Sequence, residues 1–359
     1  MNDKNLALGA RNLLVNCANM KLAETLLIVQ EDPELGWYDA SLAEYVKSVA
    51  EGLGVMVTNV KVGAPENNRS PSVLKAINAH DCTIFFARVG DQDRFAAPVP
   101  GKRSVMCYAR DCEMLASSYG WASFQAFKEM KEAVNNIIFA AKRIEISCPL
   151  GTEFCGEIPS KNQKLEQDVG LQRFPLGVAA PVPADQFSGR IALAHYLTPT
   201  GSKVYDPSFL KLETTSFVEV AYGKILSFSG DTDEVRRIEN HYDCVSRDLN
   251  IERNHVHSWH GGIHPGCNYQ MDAFDDPDRW SNSVFTNPRF LHVHTCGNYA
   301  PGEICWMLLD PTVFIDGARL WDKGRLMPNA FAKTEQCIER WPELAPLFEN
   351  PAQSIGLPL

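Results

Sequence analysis

Short apolar runs alternating with amphipathic segments set the texture of the first part of the chain. Leu26 to Gln30 is an apolar run closed by Glu31, Asp32 and Pro33, which predicts a buried strand leading into a loop. Ala43, Val46, Val49, Ala50 and Leu53 recur at helical spacing before Gly54, so Leu42–Leu53 reads as an amphipathic helix with a glycine stop. The rhythm repeats: Val55–Val62 as strand, Ser72–Ala79 as helix, Cys82–Val89 as strand, then Ser104–Ala109 as strand and a further helix. Strands joined by helices of this size call for right-handed crossovers and a mostly parallel sheet.

A helix predicted over Asn135–Arg143 hands over at Ile144 to a different pattern, in which short β-like runs are separated by Gly, Pro and Asp. Strands are expected at Gly189–Ala194, Phe209–Leu212, Ser216–Tyr222 and Lys224–Ser229, with Tyr222-Gly223-Lys224 as a hairpin turn. A helix over Asp233–Asn250 precedes strands at Arg289–Thr295 and Ile304–Leu308 and a hairpin around Asp316-Gly317, and Pro351–Leu359 reads as a surface tail. The expected fold is therefore an α/β layer domain with a mostly parallel sheet over residues 1–143. An α+β, β-rich domain over residues 144–359 follows it, consistent with the usual size of domains.

Composition narrows the function. At 359 residues with 45% hydrophobic and 22% charged side chains, the chain is ordinary for a globular protein with a substantial core. A net charge of −10 without clustered Lys and Arg excludes a nucleic-acid backbone as partner and favours a small molecule. The N-terminus lacks the pattern of a secretory signal and no apolar stretch is long enough to span a bilayer, so no membrane role and a cytoplasmic location are expected. Eleven cysteines without CxxC spacing suit reduced thiols better than a disulfide framework. GxGxxG and the Walker pattern are both missing, so no nucleotide site follows from the α/β half.

Six of the nine histidines, His255, His257, His260, His264, His292 and His294, crowd into one stretch, with Glu303 and Cys305 close behind. Neutral imidazole is the commonest protein ligand for zinc and non-haem iron, which makes this stretch the candidate metal site. His292 and His294 alternate on a predicted strand and so share one face of a sheet; Glu303 and Cys305 have the same spacing. Two histidines and a carboxylate suit a non-haem Fe(II) oxygenase, and the same set can hold zinc for hydrolysis. Structural hydrogen bonding is the competing role for each His-x-His pair. His260 and His264 flank Gly261-Gly262, which disfavours a helix and places both on a loop that could act as a hinge. Arg110, at the carboxyl end of a predicted parallel strand, and Arg173, before Phe174-Pro175, are candidate anchors for an anionic or enol oxygen, although Arg110 and Asp111 equally suit a salt bridge. A thiol nucleophile at Cys305 or Cys296, activated by His294, is a further alternative.

With these residues in view, the chain resembles the leucyl aminopeptidase T superfamily, and within it the 2,5-dihydroxypyridine 5,6-dioxygenases. The resemblance runs through Pro149-Leu150-Gly151-Thr152, the Arg173-Phe174-Pro175-Leu176-Gly177 segment, the strands between Gly189 and Ser229, His257 with Gly262-Ile263-His264-Pro265, and Phe314-Ile315-Asp316-Gly317. It departs from the pattern where the superfamily carries a His-x-Asp metal pair, the matching positions here being Glu303-Ile304-Cys305. Val178 stands where the aminopeptidases carry a glutamate ligand, which counts against a two-metal peptidase. What the resemblance implies is a mononuclear site of His257, His294 and Glu303, with His292 as alternate and Cys305 beside it. It further implies a ring-cleaving dioxygenase that uses Fe(II) and dioxygen on a small hydroxylated aromatic or N-heterocycle, at a cleft between domains. His260 or His264 would then move protons, Arg110 or Arg173 would anchor the substrate, and the enzyme would be a homodimer. Zinc-dependent hydrolysis by an amidase or aminopeptidase, and a metal-free binding protein that kept the fold, are the alternatives.

Overall fold

The computed structural model describes residues 3–66, 70–92, 94, 98–158, 170–200, 205–300 and 302–357. They form two compact units. The first comprises Met1–Lys128, Gln167–Leu176 and Gly266–Asn268, and the second Glu129–Glu166, Gly177–Pro265 and Tyr269–Leu359. The division falls inside the helix Phe124–Ile138, not at Ile144, and the chain returns to the first unit twice. The physical reason is visible in that helix. Phe124, Phe127, Met130, Val134 and Ile138 are all buried and keep helical spacing from start to end, so it begins well before the predicted Asn135 and leaves Arg143–Ser147 free to be a strand.

In the first unit five strands lie in the order Met56–Val62, Thr25–Glu31, Cys82–Phe86, Arg103–Cys107 and Gln172–Phe174, every pairing parallel. The central strands read as continuous apolar runs because both faces are covered: Leu26, Leu27, Ile28 and Val29 are fully buried, as are Ile84, Phe86, Val105 and Met106. The edge strand Met56–Val62 alternates instead, with Met56 exposed. Helices Ala40–Gly52 and Pro71–Ala79 supply the crossovers. The Cys82 strand stops at Phe86, short of the expected Val89, where a helical turn over Arg88–Asp91 begins.

Two antiparallel sheets build the second unit. The larger runs Lys224–Ser229, Ser216–Ala221, Phe187–Leu193, Glu153–Glu157, Arg143–Ser147, Thr312–Ile315, Ala318–Asp322 and Arg325–Leu326. The smaller runs Leu210–Lys211, Tyr196–Pro199, Ile304–Leu309, Phe290–Thr295, Val256–Gly261 and Val182–Pro183. Cross-strand register sorts the side chains of the smaller sheet, since paired residues share a face. Trp259, Val293, Trp306 and Leu197 form one apolar face. Trp259 meets Phe187 of the larger sheet edge-on at 5.8 Å, and Trp306 donates through Nε1 to the Tyr242 hydroxyl of helix Thr232–Leu249 at 2.7 Å. That helix is started by Asp231, whose carboxylate accepts from Asp233 N and Glu234 N.

The opposite face carries His260, His292, His294, Cys305, Met307 and Thr198. Part of it is closed by Trp280 of helix Pro277–Val284, which packs against Tyr196 and Phe290. The C-terminal segment, expected as a surface tail, completes this cluster. Ile355 and Leu357 are buried, Trp280 Nε1 donates to Ile355 O at 2.7 Å, and Ala352 N to Pro265 O at 2.8 Å. Ile355 and Leu357 in a short stretch rich in proline and small residues are too weak a period to reveal this from sequence. All cysteines are free thiols, and no helix among the described residues is long and apolar enough to cross a membrane.

Candidate metal centre

Antiparallel register brings three histidines together on the smaller sheet. His260 pairs directly with His292, and Ser258 with His294, so the imidazoles of two adjacent strands project from the same face. His260 Nε2 and His294 Nε2 are 2.9 Å apart, with the rings stacked at 5.0 Å between centroids. The ring of His292 lies 5.2 Å from that of His260 and 6.5 Å from that of His294, stacked on Phe290 and near Phe285. All three are buried. Burial alone pulls the His292 pKa down to about 3, so its imidazole is neutral at any physiological pH. Its Nδ1 is buried and has no hydrogen-bond partner among the described residues.

Cys305 faces His294 across the next strand pair, and burial pushes its thiol up to about 12. Burial does the same to Cys296, helped by the nearby Glu303 carboxylate. Both environments hold the thiol protonated, the opposite of what an activated nucleophile needs.

His257 and Glu303 lie next in sequence to residues paired in this sheet, Ser258 and Ile304. His257 follows a register irregularity between Val256 and Ser258; its Nδ1 is 2.9 Å from Ser258 Oγ and its ring 6.0 Å from that of His255. Glu303 is buried just before the strand Ile304–Leu309. Its backbone N–H bonds to Thr295 O and Cys296 O, and its carbonyl accepts from Tyr205 Oη at 2.9 Å and Thr200 N at 3.1 Å. Cys296 has left-handed backbone, φ +60, which ends the strand ladder there. Among the described residues, no group of three or more His, Cys, Asp or Glu has its donors disposed around one point for a metal ion, and the set His257, His294 and Glu303 forms no such group.

The donor chemistry of the histidine face nevertheless fits a divalent cation. The His260 and His294 Nε2 atoms are at the 2.9 Å of an N–H···N hydrogen bond, and two ligand atoms at about 2.1 Å from an octahedral metal stand about 3 Å apart, so the pair suits either role. A third imidazole, the neutral His292, adjoins them, its buried Nδ1 without a partner among the described residues.

His260 is a strand residue, not a loop residue as the glycine pair suggested, and Gly261 ends the same strand. A Cβ on Gly262 would lie 2.2 Å from Asn287 O, and Trp321 Nε1 donates to Gly262 O at 2.9 Å. The glycine pair serves close packing here, not a hinge. His264 is buried, with its N–H bonded to Thr286 O at 2.9 Å.

The two arginines belong to the first unit, at and beyond the carboxyl ends of its parallel strands. The Arg110 guanidinium is buried against Tyr38, Trp37 and Tyr108, 4.6, 5.4 and 5.7 Å from the ring centroids, and donates to the Tyr38 hydroxyl. Asp111 is not its salt-bridge partner: the carboxylate caps helix Cys112–Ala116 by accepting from Met114 N at 2.7 Å. Around Arg110, Glu31 holds Arg88 through contacts of 2.6 to 2.8 Å, and Asp91 accepts from Tyr108 Oη at 2.9 Å. Arg173 lies on the strand Gln172–Phe174 and not in a loop. Its Nε is buried without a partner among the described residues, and its charge opposes the upward push that burial exerts on the Tyr108 phenol.

An all-parallel α/β unit joined to an antiparallel two-sheet unit is an architecture seen before among solved structures. The chain is similar to 2,5-dihydroxypyridine dioxygenase from Pseudomonas putida KT2440, with a TM-score of 0.62 over 93% of this chain and 99% of that one, at 12% identity. It is also similar to AmpT from Thermus thermophilus, with a TM-score of 0.50 over 90% of this chain and 99% of that one, at 10% identity. At these identities the likeness is one of fold. No protein-family model matches the chain, and no curated protein matches it.

Proposed function

We propose that the protein is a mononuclear metal-dependent enzyme whose cation is held on the histidine face of the second unit, and that it uses Fe(II) and dioxygen to open a small hydroxylated aromatic or N-heterocyclic ring. The observation that carries this reading is the gathering of His260, His292 and His294 on one buried face, where His260 Nε2 and His294 Nε2 are hydrogen-bonded at 2.9 Å and His292 Nδ1 has no partner among the described residues. His260 and His294 would hold the cation and His292 would be the third donor, with Glu303 or His257 as the oxygen or nitrogen donor that adapts on binding. Ferrous iron bound there would supply the redox chemistry that couples dioxygen to an electron-rich ring. The chain's own part is different. The neutral state of His292 means that it has no proton to lose when it coordinates. Phe285, Phe290 and Trp280 exclude water from that side of the face. His264 would move protons. The likeness in fold to a solved 2,5-dihydroxypyridine dioxygenase supports the substrate class.

A zinc-dependent hydrolase is the second reading, favoured by the donor set itself, since three imidazoles suit zinc at least as well as iron. Elemental analysis after anaerobic reconstitution separates the two. We expect about one Fe(II) per chain and oxygen uptake that depends on a hydroxylated pyridine, with His260→Ala and His294→Ala each losing most of the metal while remaining folded. Zinc with activity under argon establishes the hydrolase. A chain that takes up no divalent metal overturns both.

A further inference from the structure

Where the strands Phe290–Thr295 and Ile304–Leu309 end, at Arg289 and Asp310, the second unit carries a cavity of about 340 Å³ lined by Arg289, Asp310, Lys323, Arg325 and Gln353, among others. Its volume is at the small end of the range for metabolite sites. Its charge is unusual for a chain with a net charge of −10. Three cations, Arg289, Lys323 and Arg325, face one carboxylate, Asp310, an excess of two positive charges. Asp310 is already neutralised, because Arg289 grips it in a two-pronged contact, Nε to Oδ1 at 2.6 Å and Nη2 to Oδ2 at 2.8 Å. Arg325 bonds only a neutral group, Glu349 O, through Nη2 at 2.9 Å. Among the described residues no carboxylate lies within ion-pair distance of Lys323 or Arg325.

The backbone fixes where these cations stand. Lys323 and Gly324 are the two central residues of the hairpin turn between Asp322 and Arg325, and both have positive φ, +48 and +76. A Cβ on Gly324 would lie 2.6 Å from Asp310 Oδ1 and 3.1 Å from Arg289 Cα, so the turn sits directly against the Arg289–Asp310 pair. The turn amides are already used: Lys323 N bonds Thr312 Oγ1 at 3.0 Å and Gly324 N bonds Pro311 O at 2.9 Å. The turn therefore offers a ligand its side chains and not these two amides, which favours groups that attract ammonium and guanidinium.

We propose that this cavity is a binding site for a small multivalent oxyanion, a phosphate ester or a polycarboxylate, held by Lys323 and Arg325 with Arg289 behind them. A multivalent ligand fits better than a monovalent one because the uncompensated charge is spread over two separate side chains. Calorimetric titration of the full chain in a phosphate-free buffer of low ionic strength, with inorganic pyrophosphate and citrate as probes and acetate as the monovalent control, tests this. Saturable binding of pyrophosphate or citrate but not acetate is expected, weakened about tenfold by Lys323→Gln and by Arg325→Gln, since each removes one charge-assisted contact. Pyrophosphate alone would assign a phosphoryl ligand, and citrate alone a polycarboxylate. Both side chains are exposed, so the variants should melt like the parent. The proposal is overturned if neither probe binds saturably, or if the double variant binds as the parent does.

Discussion

His241 offers a sharp test of how the second unit responds to acid. It lies on helix Thr232–Leu249, is 5% exposed, and packs at 6.2 Å from the ring of Tyr205. Its Nε2 has no partner among the described residues, and burial pulls its pKa from 6.5 down to about 4. In the unfolded chain the same side chain titrates near 6.5. Between these values the unfolded state binds the proton and the folded state does not, so the stabilisation is complete above about pH 6.5 and is lost as the pH falls toward 4. A gap of about 2.5 pH units at about 1.4 kcal/mol each gives about 3 kcal/mol at pH 4, and about 2 kcal/mol at pH 5. His241→Phe removes the proton site and keeps a ring in the space. Urea unfolding of both proteins followed by circular dichroism at about pH 7.5, 6 and 5 should show the variant gaining on the parent by about 2 kcal/mol over that range. Other titrating groups, His292 among them, cancel in the difference. A difference that stays flat with pH would mean that His241 is solvated and that the packing described around Tyr205 is wrong.

Two further outcomes follow from buried polar and thiol groups. Tyr242→Phe removes the hydroxyl that accepts from Trp306 Nε1 at 2.7 Å and stands 2.5 Å from Thr295 Oγ1, and should cost about 1 to 3 kcal/mol in urea unfolding because Trp306 is left with a buried, unsatisfied N–H; an unchanged midpoint would refute the link. Cys296 and Cys305, with thiols pushed up to about 12 by burial, should resist iodoacetamide in the folded protein at neutral pH and react once urea is added. Mass spectrometry of tryptic peptides decides this, and rapid native-state labelling of either thiol would contradict the burial.

Much of the architecture was legible because period two and period 3.6 leave different marks. Leu26 to Gln30 and Cys82 to Val89 read as strands since both faces of a parallel sheet are apolar, although the second ends at Phe86, and Ser216–Tyr222 with Lys224–Ser229 read as a hairpin around Tyr222-Gly223-Lys224. The division between units was not legible, because the fifth parallel strand, Gln172–Phe174, is three residues long and arrives from a distant part of the chain. No local pattern marks such a return. The C-terminal segment escaped for a related reason: Ile355 and Leu357 are buried by tertiary contacts with Trp280 and Tyr269, not by any periodicity of their own.

For the site, alternation alone put His292 and His294 on one face, but it misplaced His260. In the sequence Gly261-Gly262 reads as loop and hinge, since glycine is costly in regular elements. The structure assigns those glycines a different task. Gly261 passes the indole of Trp321, 2.9 Å from where a Cβ would stand, and Gly262 passes the backbone at Asn287. Glycine is there because other chain segments approach too closely for a side chain, and the same close approach keeps the strand Val256–Gly261 in register with Phe290–Thr295. Register, in turn, is what sets His260 opposite His292 and within 2.9 Å of His294. A slip of one residue in Val256–Gly261 would send His260 to the tryptophan-lined face, away from His292 and His294. The glycine pair is thus part of the machinery that assembles the histidine face. A metal centre built on it would depend on packing at Gly262 as directly as on the imidazoles themselves.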